Sequence, residues 1–187
     1  MEVTLMKYAM IAFALLAYLI VIYGIIWKGK ELNAVTWVLW LILDGVALYG
    51  TMQKGEDATL LWIFIAGTGA VALLLLLKRH WAFGWIEIGT CFLVVICLVA
   101  MHFGDADQII WAGSIAIAVA GIPFIKDLFE PDIDADTKQM CVLFFLTTGL
   151  SVARTAYLDQ NMVFPVFCFI YWIFAMKMAY KEKLYVI

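Results

Sequence analysis

Asp44 stands about ten residues into an apolar run, and Trp40 and Trp37 precede it by four and seven positions. On a helix those spacings put all three side chains on one stripe. Two indole faces would hold a flat or ring-shaped solute by dispersion. A carboxylate beside them would fix its orientation by accepting hydroxyl or amide donors. A carboxylate at mid-bilayer costs about 2.5–3.5 kcal/mol on insertion scales, so it must face the protein interior or a cavity. Two roles stay open for Asp44. It is a solute acceptor or proton-coupling site, or it ties helices together through Arg154 or a threonine. For Trp37 and Trp40 the competing role is membership of an aromatic belt at the membrane surface.

Thr147, Thr148 and Ser151 form the one polar cluster of a later apolar run, around Gly149. Their hydroxyls would bind solute opposite Asp44, or bond the carbonyl four residues back in their own helix. Trp62 and Trp111 lie four or five residues into their runs, a belt depth that also admits solute contact. Trp172 is deeper and would face a cavity or lipid. Pro123 and Pro165 remove backbone donors from helical ladders.

Other chemistries lack their residues. Cys91, Cys97, Cys141 and Cys168 lie in apolar runs without CxxC spacing or a histidine companion, and read as small buried apolar groups. Asp132, Asp134 and Asp136 alternate like a calcium loop. Thr137 and Leu143 replace the required glycine and glutamate, so the segment reads as a solvated turn. His80 and His102 fall at opposite membrane faces. Lys177 lies at the cytoplasmic end of the last run, close to Lys181, so it reads as a lysine snorkelling to the interface and not as a retinal anchor. No nucleophile, base and orienter set is present. The chain reads as a non-enzyme without cofactor, metal or nucleic-acid partner.

The elements that must position Asp44 follow from hydropathy. A charged fraction of 14% and a mean hydropathy of +1.00 exclude a soluble globule. The apolar residues fall in seven runs, 8–27, 34–52, 58–77, 83–103, 107–126, 139–158 and 161–180, each near the roughly 20 residues that cross a bilayer. Continuous runs such as Leu73–Leu77 lack strand alternation, so the spans are helices. The first run is too long for a signal-peptide core, and Tyr23, Gly24 and Trp27 make a poor cleavage site. Nine of the 12 Lys and Arg residues fall on one side if the spans alternate; Lys7, Lys54 and Arg154 fall on the other. The positive-inside rule then places the N-terminus outside and the C-terminus in the cytoplasm, in the plasma (inner) membrane.

The runs also suggest duplication. Val21–Lys30 and Pro123–Asp132 each end a span and open a polar turn, and Gly45 and Gly149 follow at similar depth, 104 residues apart. Block four, with Trp81, Trp85 and Glu87, has no mate. The expected fold is all-α and integral to the membrane, one domain over 1–187. It comprises a first three-helix bundle over 8–77, a linker helix over 83–103 and a second, parallel bundle over 107–180. The linker is the expected surface for any homo-oligomer.

This 3+1+3 layout resembles the SWEET, PQ-loop and PnuC superfamily of small-solute transporters. Gly121-Ile-Pro-Phe-Ile-Lys-Asp-Leu-Phe resembles a G-x-P-x-x-(R/K)-D-x-F turn of small PQ-loop-like proteins. Trp37-Val-Leu-Trp40-Leu-Ile-Leu-Asp44 resembles the W-x-x-W-x-x-x-D run of PnuC-type vitamin transporters. The Pro-Gln dipeptide is absent, and Val21 occupies the place that would match Pro123. The resemblance implies alternating access for a small polar solute such as a sugar, nucleoside or vitamin, facilitated or proton-coupled. It also implies hinges at Gly121, Pro123 and Pro165. Non-transporting receptors or assembly subunits on the same scaffold are the alternative.

Overall fold

The computed structural model describes residues 2–79, 84–129 and 133–181. His80, Trp81, Glu130, Asp132 and Lys183 lie outside them. The described chain is helical throughout: α1 (Glu2–Trp27), α2 (Ala34–Gln53), α3 (Thr59–Leu77), α4 (Trp85–Phe103), α5 (Ala106–Ala120), the short α6 (Ile122–Asp127), α7 (Ala135–Tyr157) and α8 (Val163–Ala179). Among the described residues five stretches are long and apolar enough to cross a membrane: α1, α2, α3, Ala106–Ile125 and α7. The fifth expected span, 107–126, is interrupted. Pro123 has no N–H to continue the ladder, so α5 stops at Ala120, and α6 restarts after Gly121 with Pro123 in its first turn. Pro165 likewise sits in the first turn of α8, where its missing donor breaks nothing.

Polar residues at the run edges set the helix starts. Asn33 caps α2, Asp134 caps α7, and Asp105 with Gln108 forms a capping box on α5. Helix α1 packs on α7 and α3, α2 on α3 and α5, and α8 on α7 and α5, with α4 against α5 and α2. Each of these contacts except those of α4 has a counterpart when α1, α2 and α3 are exchanged for α5, α7 and α8.

The turns repeat at finer scale. Gly55 follows α2 with φ 69°, and Asp159, 104 positions later, follows α7 with φ 52°. Glycine adopts that left-handed conformation freely, and aspartate tolerates it better than most residues. Glu56 N–H reaches back to Thr51 O, as Gln160 N–H does to Thr155 O. Asp57 Oδ1 accepts Thr59 N–H at 2.9 Å, and Asn161 Oδ1 accepts Val163 N–H at 2.9 Å. Every member of one turn stands 104 residues before its equivalent in the other.

Two glycines bring helices together. A Cβ on Gly67 of α3 would overlap the Tyr18 ring of α1, and one on Gly121 would overlap the Tyr171 ring of α8. Tyr171 is 104 positions after Gly67, and Gly121 is 103 after Tyr18. The same helix contact is thus built twice, with ring and glycine exchanged. Filling such a site costs about 1–3 kcal/mol in overpacking. Gly67→Ala is expected to lower the thermal unfolding midpoint in detergent. Gly45→Ala, where a Cβ meets nothing within 4 Å, is expected to hold or raise it. Equal midpoints for the two variants would remove the ring-on-glycine contact as a source of stability.

Candidate functional site

A cavity with about 540 Å³ of empty space, counted to its mouth, opens between α1, α2, α3, α5, α7 and α8. Helix α2 supplies Trp37, Trp40 and Asp44, so the stripe legible in the sequence reaches one cavity. Tyr18 comes from α1, Phe64 and Thr68 from α3, Ser114 and Ile117 from α5, Phe144 from α7, and Cys168, Tyr171 and Trp172 from α8. The walls are chiefly aromatic. Phe144 stacks on Trp172 with centroids 4.6 Å apart, while Trp37 meets Trp40 edge-on at 5.3 Å. Three wall pairs fall at the same 104-residue offset as the turns: Trp40 with Phe144, Phe64 with Cys168, and Thr68 with Trp172.

Asp44 is buried, and its hydrogen-bond partner among the described residues is Thr68, whose Oγ1 donates to Asp44 Oδ2 at a long 3.4 Å. Thr68 Oγ1 in turn shares a 3.0 Å hydrogen bond with Tyr18 OH, which also reaches Phe64 O at 3.4 Å. The line Asp44–Thr68–Tyr18 therefore crosses α2, α3 and α1. No described lysine, arginine or histidine lines the cavity. Trp40 Nε1 is buried and has no hydrogen-bond partner among the described residues. The site thus holds a carboxylate without a counter-cation and an indole donor without an acceptor.

The other candidates lie elsewhere. Thr147 Oγ1 donates to Leu143 O and Thr148 Oγ1 to Phe144 O, each at 2.8 Å within α7, so neither hydroxyl faces Asp44 across the cavity. Back-bonding to the preceding turn takes up their donors. Ser151 and Pro165 border a second, more polar cavity of about 440 Å³ with Thr51, Asp57, Arg154 and Gln160. Trp62 is 54% exposed and Trp111 47%, on the outer face of the bundle; Trp111 meets the ring of Phe167 edge-on, and Phe167 borders the Asp44 cavity. Pro123 adjoins Trp37, Trp40 and Phe124 in a small recess beside the main cavity. Gly121 O accepts Tyr171 OH at 3.0 Å.

Arg154 does not tie Asp44. Its guanidinium meets Asp57 at 2.7 Å, and Asp57 N–H is 3.3 Å from Gln160 Oε1. Beside them Lys54 and Asn161 converge on Asp107 at 2.6 and 3.0 Å. At the opposite end Lys28 meets Asp136 at 2.5 Å and Lys30 meets Asp134 at 2.6 Å, joining the end of α1 to the start of α7.

Sequence reasoning missed Tyr18, Phe64, Thr68, Ser114, Phe144 and Tyr171. They are ordinary residues of apolar spans, and only their alignment across the repeat marks some of them.

No protein-family pattern, curated protein or solved structure matches this chain. The site therefore has to be read from its own chemistry.

The polar end is open to a direct test. Burial alone would raise the Asp57 carboxyl, but the hydrogen bonds from Arg154 and Thr59 outweigh it and hold the group below the usual carboxylate range. A depressed folded value means the stabilisation is present above the unfolded value, near pH 4, and is lost as pH falls through the folded one. Asp57→Asn is expected to cost about 1–3 kcal/mol at neutral pH. The gap between variant and wild-type unfolding midpoints should close progressively below about pH 4. A gap that stays constant down to pH 2 would contradict this assignment.

Proposed function

We propose that this chain is a membrane transporter that moves a small ring-shaped solute by alternating access. The observation that carries this reading is the placement of the cavity. It lies between helices of both halves of the chain, around a buried carboxylate with no described lysine, arginine or histidine in its lining. Matched turns, matched helix contacts and matched cavity walls at one offset support two parallel three-helix units, α1–α3 and α5–α8, with α4 as the linker. Ion pairs at both ends of the bundle are the kind of contact that can break at one face while holding at the other. The lysine-rich end, with Lys28, Lys30, Lys78 and Lys181, is then cytoplasmic, which puts the N-terminus outside. Apolar residues exposed along α4, among them Trp85, Phe92 and Phe103, suit lipid or a second copy of the chain.

Facilitated or proton-coupled movement fits a chain with no ATP-binding loop. A receptor on the same scaffold would bind in the same cavity without turning it to both faces, and Cys168 distinguishes the two. It lines the cavity and is 5% exposed. In a background with Cys91, Cys97 and Cys141 replaced by serine, membrane-impermeant thiol reagents are expected to label Cys168 from either face of oriented vesicles. Labelling from one face alone would overturn the transporter reading in favour of a receptor.

A further inference from the structure

We propose that the occupant of the Asp44 cavity is an organic cation with a flat or apolar ring body, held by the Asp44 carboxylate and the surrounding aromatic faces. This names the solute class for the site described above and rests on reading that cavity as a solute site; it does not depend on movement across the membrane.

Charge is the first observation. Asp44 is 4% exposed, and a carboxylate in such a place is costly to ionise unless a positive group accompanies it. The described lining offers none. Arg154, the cation suggested by the sequence, is committed to Asp57 at the end of the bundle. Thr68 gives Asp44 one long hydrogen bond, leaving carboxylate lone pairs to accept more donors.

Aromatic walls are the second, independent observation. Trp37, Trp40, Phe64, Phe144, Tyr171 and Trp172 surround the space. Ring faces carry negative quadrupole density and attract a desolvated cation, indole most strongly. A neutral polyol would find few polar partners here. Among the hydroxyls, Ser114 donates to Ile110 O at 2.7 Å and Thr68 and Tyr18 bond each other. An anion would meet Asp44 without a compensating base. A ring-bearing cation places its charge by Asp44 and its body between the indoles. An acceptor atom on that body would complete the unpaired Trp40 Nε1.

Three probes that share a phenyl ring and differ in charge test this on purified full-length protein in lipid nanodiscs: benzyltrimethylammonium, benzyl alcohol and benzoate. Tryptophan fluorescence reads binding, because Trp37, Trp40 and Trp172 line the cavity. The cation is expected to bind about tenfold or more tighter than the alcohol, with benzoate weakest. Asp44→Asn should remove that preference by weakening the cation and sparing the alcohol, whereas Asp44→Glu, which keeps the charge, should retain it. Equal affinity for cation and alcohol in the wild-type protein would overturn the proposal, as would an unchanged preference in Asp44→Asn. Flux of the same probes in proteoliposomes separates the two readings. Cation binding without flux removes transport and leaves the cation site standing. Flux without cation preference does the reverse.

Discussion

A glycine in α3 makes room for the Tyr18 ring, and through that ring three helices are joined to one carboxylate. Tyr18 OH meets Thr68, Thr68 meets Asp44, and the three residues belong to α1, α3 and α2. If α1 stood further from α3, the Tyr18 hydroxyl could not reach Thr68, and the polar line behind Asp44 would lose its last member. The cost of holding an acid at this depth is offset in part by that short polar line.

The two ends of the molecule differ in kind from its middle. At both ends lysine, arginine and aspartate pair across helices; the more exposed lysine pairs contribute little and are screened by salt, while Arg154–Asp57 is more deeply set. In the middle rings touch rings, and polar contacts are few and buried. Such a division is what the proposed pivoting of rigid helices would need. The break at Gly121 and Pro123 is the exception, and it lies beside the recess under Trp40.

Helical spans were legible because lipid-length apolar runs leave the backbone one economical solution. Asp44 with Trp37 and Trp40 was legible for a similar reason: spacings of three and four on a helix admit one face. The rotation of α7 was not. Thr147 and Thr148 differ from Asp44 in that a hydroxyl can bond its own preceding turn, so their polarity does not reveal where the helix points. Arg154 offered a charge partner for Asp44 by sign alone, but it lies at the end of α7, one residue-length side chain from the α2–α3 turn. Residues such as Phe144 carry no local signal. They become visible once the 104-residue offset is taken from the glycines and applied along the whole chain.

That offset has a consequence for the polarity of the hollow. Thr148 occupies the position equivalent to Asp44, and its hydroxyl turns back into α7. A pair of identical three-helix subunits would have to set two acids around one axis, and like charges so close resist joint ionisation. A single chain is free of that obligation: the acid stands at one position and a hydroxyl 104 residues later. A guest of the proposed kind would meet a carboxylate on one flank and mainly aromatic side chains on the other, which would orient it.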